Sequence, residues 1–289
     1  MAGRYLLLLV LILCLGHLAM ALDVATIYNG ESRWPANLQV GEWGNAQGDA
    51  QILSPTPLEV KTGVYGIAVS TLGRYQGTRF DFNPPLDTHL IFGVKNVYLE
   101  LYLRPSLNTV NKHGFMPNLT NLRFTLFTAN GIGTCAVPAS QFYPAEVIQK
   151  TWVKIDLPLS KLDPALHLSG PLSRIVITSD GPVSFLLGRL AVVQDTSALR
   201  ADITTFPAIL ETDQTIFFSA SVDSGLSPCT AAWDFDTTTG ATVDAMGNQV
   251  TCRYTNPGTY LITCTVRDAN GIKDPITVTK EIKINRSTH

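Results

Sequence analysis

The chain has 289 residues, with 21 Lys+Arg against 23 Asp+Glu and a formal net charge of −2. Only 15% of residues are charged and 45% are hydrophobic, with 22 Gly and 17 Pro. That length supports one large domain or two ordinary ones. The near-neutral balance argues against a nucleic-acid binder, which normally shows a basic stripe, and low charge with normal hydrophobicity argues against a disordered chain.

In chain order, the first expected element is an export leader. Arg4 gives a positive start, residues 6–20 read LLLLVLILCLGHLAM, and Ala19-Met20-Ala21 is a small-x-small cleavage pattern. Cleavage is expected after Ala21, so the signal peptide occupies residues 1–21 and the mature chain has no transmembrane segment. The uninterrupted apolar run from Leu6 to Gly16 is too short to span a bilayer comfortably. Beyond the leader, helical periodicity gives way to short alternating runs: Val97–Leu103, Leu122–Phe127, Val153–Leu157, Ile175–Thr178, Phe185–Leu187 and Leu190–Val193, then Thr215–Ala220, Tyr260–Val266 and Thr277–Ile284. Period-2 alternation buries one face of each strand, and many short strands separated by Gly, Pro, Asn and Asp imply an all-β chain of sandwiches. Pro144–Lys150 is the one expected helical turn. A boundary is expected near residues 195–200.

The mature chain keeps Cys135, Cys229, Cys252 and Cys264. An even count in an exported protein permits disulfides, and a buried pair among Cys229, Cys252 and Cys264 is expected, although strand parity does not choose which. Two sequons occur, Asn118-Leu-Thr120 and Asn285-Arg-Ser287. The histidines are His89, His113, His167 and His289 after the leader, and no metalloprotease, nucleophile-elbow or P-loop motif is present. A non-enzymatic protein is therefore expected.

Two stretches carry family resemblances. Trp233-Asp-Phe235, Tyr254-x-x-Pro-Gly-x-Tyr260, Ile262-x-Cys264-x-Val266-x-Asp268 and Asn270-Gly271 resemble a PKD domain, an immunoglobulin-like sandwich common in secreted and surface proteins. The resemblance spans residues 203–284 and implies that Trp233 fills the core while Tyr260, Ile262, Cys264 and Val266 point inward. Asp236 stands where the family usually has Gly, so the turn is expected to be rebuilt around Thr237-Thr-Thr-Gly240. Residues 22–196 resemble the galactose-binding-like jelly roll of many carbohydrate-binding modules, through Tyr28-Asn-Gly30, Gly63–Val69, Gly77-Thr-Arg-Phe80, Thr151–Leu159 and Phe185–Val192. Residues 197–202 are expected as a linker and 285–289 as a tail.

The jelly-roll resemblance implies a glycan ligand. Sugar recognition needs flat aromatic faces beside hydrogen-bonding groups. Trp34 and Trp43 lie among Asn, Gln, Glu and Gly, and Tyr65, Arg74, Tyr75, Gln76 and Arg79 follow. Trp34, Trp43, Arg74, Tyr75 and Arg79 are the candidate ligand-binding residues. Edge or core packing is the competing role for each aromatic. No cofactor is called for; Asp234, Asp236 and Asp268, with Asn270, are the one candidate set for Ca²⁺, against the ordinary use of such carboxylates in turns. The expected protein is secreted or held at the cell surface, with an extracellular glycan or polysaccharide as partner, or other surface proteins. The rival readings are a structural or adhesive protein, using both sandwiches for protein contacts, and an accessory subunit of a polysaccharide-degrading system.

Overall fold

The computed structural model describes residues 22–31, 36–44, 49–53, 61, 63, 65–71, 77–87, 94–105, 122–133, 151–162, 169–181, 183–240 and 242–287. The expected leader, the Pro144–Lys150 turn, Cys135, Asn118 and the four histidines lie outside those residues. The described chain divides into two compact units between Gln194 and Asp195.

The first unit is built from β1 (Leu22–Tyr28), β2 (Leu38–Trp43), β3 (Asp49–Leu53), β4 (Gly66–Thr71), β5 (Gly77–Leu86), β6 (Val97–Pro105), β7 (Leu122–Thr128), β8 (Gly131–Gly133), β9 (Val153–Pro158), β10 (Leu172–Ser179) and β11 (Val183–Gln194). One sheet runs β3-β4-β11-β6-β9, and β1 also pairs with β11; the second runs β2-β5-β10-β7-β8. All pairs are antiparallel. Alternation sets the sandwich: on β7, Leu122, Phe124 and Leu126 are buried, while Arg123, Thr125 and Phe127 are only partly so. One core joins Ile67, Leu101 and Phe185 of the first sheet to Phe80, Phe124 and Ile175 of the second. The runs Phe185–Leu187 and Leu190–Val193 are one strand rather than two. The register of β11 against β6 shifts between Leu187 and Arg189, a bulge that takes up Gly188. Trp152 crosses there: a Cβ on Gly188 would lie 2.9 Å from its ring and 2.6 Å from Lys61 Cβ. A helical turn at Leu159–Leu162, absent from the sequence reading, buries Leu159 and Leu162.

The second unit contains β12 (Arg200–Phe206), β13 (Ile216–Asp223), β14 (Cys229–Asp234), β15 (Ala245–Met246), β16 (Gln249–Cys252), β17 (Gly258–Asp268) and β18 (Ile276–Ile284), in sheets β12-β13-β16 and β15-β14-β17-β18. Residues 200–202, expected in the linker, instead begin β12 and pair with Asp223, Val222 and Ser221. Trp233 is fully buried and donates from Nε1 to Gly247 O at 2.8 Å. Its ring lies 5.9 Å from Phe218 and 6.3 Å from Phe235. Ile262, Cys264 and Val266 point into the same core, as expected. The rebuilt turn is a 3₁₀ turn at Thr237–Thr239, capped by Asp236, whose Oδ1 accepts from Thr238 N at 3.1 Å.

The outer face of β17 and β18 is threonine-rich. Thr263 and Thr265 face Thr279 and Thr277, and the Thr265 and Thr277 hydroxyls are 3.0 Å apart. Inside the unit, Asp195 is almost wholly buried. It accepts from Lys273 Nζ at 2.7 Å, from Leu226 N and Ser197 N at 2.9 Å, and from the Ser197 hydroxyl. Burial raises the Asp195 carboxyl, but the bonds from Lys273, Ser197 and Leu226 outweigh it and hold the group below its ordinary range. Lys273 Nζ also donates to Ser197 Oγ at 2.8 Å and Ser224 O at 2.6 Å.

The expected disulfide is absent: Cys229, Cys252 and Cys264 are free thiols. Cys264 pairs with Trp233 and Cys229 with Asp268, so the two cysteines are offset by four residues on neighbouring strands, about 13 Å. A disulfide needs Cα atoms roughly 4.4–6.8 Å apart. Cys252 lies in the other sheet, opposite Ile216. Burial pushes the Cys264 thiol up to about 11, and also raises Cys229 and Cys252.

Candidate functional site

The pairing registers of β2, β5, β10 and β7 lay out the outer face of their sheet in three rows. Gln39, Asp81, Arg174 and Phe127 form the first, and Gly41, Arg79, Val176 and Thr125 the second. Trp43, Gly77, Thr178 and Arg123 form the third. Core residues Val40, Phe80, Ile175 and Leu126 alternate with them and fix this orientation. Gly77 is required here. A Cβ would come within 2.1 Å of Ile177 O, so only glycine allows β5 and β10 to approach this closely.

The rows converge on one cluster. The half-buried Trp43 ring lies 5.3 Å from Phe127, and the Arg174 guanidinium covers both, 5.5 Å from Trp43 and 5.7 Å from Phe127. Arg174 Nε donates to Asp81 Oδ1, and Arg79 Nε sits 3.1 Å from Asp81 Oδ2. Two guanidiniums thus share one carboxylate, leaving a formal excess of one positive charge. The Arg79 side chain is 42% exposed and that of Arg174 31%. Chemically, the face offers an aromatic ring for an apolar surface and planar N–H donors beside a carboxylate acceptor for hydroxyls.

Of the candidate ligand-binding residues, Trp43 and Arg79 are on this face. Trp34, Arg74 and Tyr75, together with Gln76, lie outside the described residues. Tyr65 does not join it: it precedes β4 of the other sheet and donates from its backbone N–H to Gly30 O. Sequence reasoning missed Arg174, Asp81 and Phe127.

The candidate Ca²⁺ set does not assemble. Asp234 pairs with Thr263, whereas Asp268 pairs with Cys229 at the other end of β14, about 17 Å away. Each carboxylate serves its own turn. Asp234 accepts from Asp236 N at 3.0 Å and Thr242 N at 3.2 Å. Asp268 accepts from Asn270 N at 2.7 Å, Ile272 N at 3.0 Å and Lys273 N at 2.9 Å. Among the described residues no group of three or more His, Cys, Asp or Glu could hold a metal ion.

Residues 200–284 match the family model of the PKD domain. The chain is similar to the PKD1 domain of Vibrio anguillarum Epp, at 18% identity and a TM-score of 0.26, over 32% of this chain and 98% of that one. A β-1,2-glucanase from Parabacteroides distasonis is similar at 10% identity and a TM-score of 0.40, over 92% of this chain and 40% of the glucanase. A DUF4785 family protein from Legionella pneumophila is similar at 10% identity and a TM-score of 0.22, over 94% and 70%. No curated protein matches the sequence.

Proposed function

We propose that this chain, whose C-terminal sandwich is a PKD domain, is an exported, non-catalytic carbohydrate-binding protein. In this reading the N-terminal sandwich is of the galactose-binding-like jelly-roll kind and takes glycan on the outer face of β2, β5, β10 and β7. The PKD domain serves as spacer or protein-contact module. One observation carries the reading: a half-buried Trp43 ring beside Arg174, Arg79 and Asp81, an aromatic surface edged by hydrogen-bonding groups.

The test is retention of the full chain on a glycan array and on insoluble polysaccharides, with Trp43→Ala and Arg174→Ala. Each substitution is expected to remove about 2 kcal/mol of binding, roughly thirtyfold in Kd. No retention on any glycan, or retention unchanged by both substitutions, refutes the site. Turnover of a polysaccharide by the purified chain refutes the non-catalytic reading. Export is checked by the mature N-terminus, expected at Leu22.

A structural or adhesive role is the second reading, and an observation favours it. On the outer face of β12 and β13, Phe206 is 69% and Phe217 53% exposed, with their rings 6.5 Å apart. Self-association that rises with concentration, without glycan binding and lost in Phe217→Ser, would favour that reading.

A further inference from the structure

The outer face of the β3-β4-β11-β6-β9 sheet divides into two chemically different ends. On β6, Glu100, Tyr102 and Arg104 point outward because Leu99, Leu101 and Leu103 alternate with them into the core. Around Glu100 every charge is answered. Arg189 Nε donates to it at 2.7 Å, and Lys154 Nζ lies 3.0 Å away. Arg189 also reaches Asp23 at 2.6 Å, and Lys154 reaches Asp156 at 3.2 Å.

The Arg104 end is the reverse. Arg104 stands opposite Leu186, and its Nε and Nη1 are shielded from solvent and donate to nothing among the described residues. Nη2, the nitrogen common to both donor forks of a guanidinium, is not among the shielded atoms. Lys61 is exposed and places Nζ 5.4 Å from the centre of the Tyr102 ring. Tyr102 and Arg104 are two residues apart on one face, about 6.7 Å. Trp152 precedes Val153, which pairs with Leu103, so it continues β9 alongside Arg104, and it packs on Ala68 and Leu186. No carboxylate answers either cation among the described residues. An uncompensated guanidinium with shielded N–H groups opposes folding, which makes its presence beside a second cation and two aromatic rings call for an explanation.

We propose that Arg104, Lys61, Tyr102 and Trp152 form a binding site for the carboxylate or sulfate group of an acidic saccharide. The oxyanion takes the Nη2 side of Arg104 and the ammonium of Lys61, and the sugar ring lies against the aromatic pair. The site is independent of the Trp43 face, because the two lie on different sheets.

The experiment is affinity electrophoresis of the full chain in gels containing polygalacturonate or dextran sulfate, with neutral dextran as control. Retardation by at least one acidic polymer and not by dextran is expected, and the two acidic arms distinguish carboxylate from sulfate. Arg104→Met should weaken it by about tenfold or more and Lys61→Gln by about threefold. The exposed Arg267→Gln, on the other unit, should leave it unchanged, and because the Trp43 face is scored on neutral glycans with Trp43→Ala, failure of this site and failure of that face are distinguishable. Arg104→Met should also leave Tm unchanged or raise it, whereas an arginine kept for structure would lower it. No retardation above dextran, or equal retardation of the wild type and both site variants, overturns the proposal. If Arg104→Met fails to fold, Lys61→Gln alone decides.

Discussion

Replacing Asp195 by alanine removes an almost wholly buried carboxylate and strands the Lys273 ammonium that it pairs with. The Asp195 side chain is 1% exposed and that of Lys273 9%, so little water can take over when the carboxylate goes. Breaking a buried pair from one side costs about 3–5 kcal/mol. Lys273 keeps Ser197 Oγ and Ser224 O as acceptors, which argues for the lower end, about 3 kcal/mol. Asp195→Asn retains an acceptor and should cost about 1–2 kcal/mol. Amide exchange in β17, at the Ile262–Val266 amides, reports the opening free energy of this unit and should fall by these amounts. The pH dependence has a definite sign. Because the folded carboxyl is depressed, its contribution is fully present above the unfolded value of about 3.9 and is lost as pH falls through the folded value. The gap between wild type and Asp195→Asn should therefore close in acid. A cost below about 1 kcal/mol for Asp195→Ala at neutral pH, or a wild-type–Asn gap independent of pH, refutes the reasoning.

Two further outcomes follow from the packing. Denatured without reductant and alkylated, the chain should yield Cys229, Cys252 and Cys264 as free thiols, and in the folded state at mildly alkaline pH Cys264 should react last, since burial pushes it up to about 11; a linked peptide between any two contradicts this. Gly188→Ala should cost about 1–3 kcal/mol in urea denaturation and shift Trp152 emission, because the new methyl meets the ring at 2.9 Å and Lys61 Cβ at 2.6 Å; an unchanged midpoint and spectrum contradict it.

The strands were legible because alternation is local: Leu122, Phe124 and Leu126 declare a face without reference to any partner. The Thr237–Thr239 turn was legible for a related reason, being fixed by residues close in the chain, whereas the buried place of Trp233 was carried by the resemblance to the PKD domain. Register is different, since it depends on which strands meet. Arg174 and Asp81 are 93 residues apart, and their contact exists only because β10 pairs with β5. A signal was present: Arg174 has the opposite parity to Ile175 and Ile177 at that point in β10, so it had to face outward. Nothing local says that Phe127 and Trp43 would close around it. The Ca²⁺ set and the disulfide failed on the same quantity: Asp234 and Asp268, like Cys229 and Cys264, lie on paired strands but at different levels of them.

The threonine lattice of β17 and β18 gives the low charge fraction a physical consequence. Only 15% of the chain is charged, and Thr263, Thr265, Thr277 and Thr279 wet this surface with neutral hydroxyls instead. Hydroxyls donate to and accept from water alike whatever the proton concentration, and dissolved ions do not screen them as they screen charges. Their branched methyl groups meanwhile favour the extended backbone. Hydration of the threonine patch is thereby uncoupled from acidity and ionic strength, while Arg267, Glu281 and Lys283, exposed on the same face, leave the response to salt and pH to its two ends.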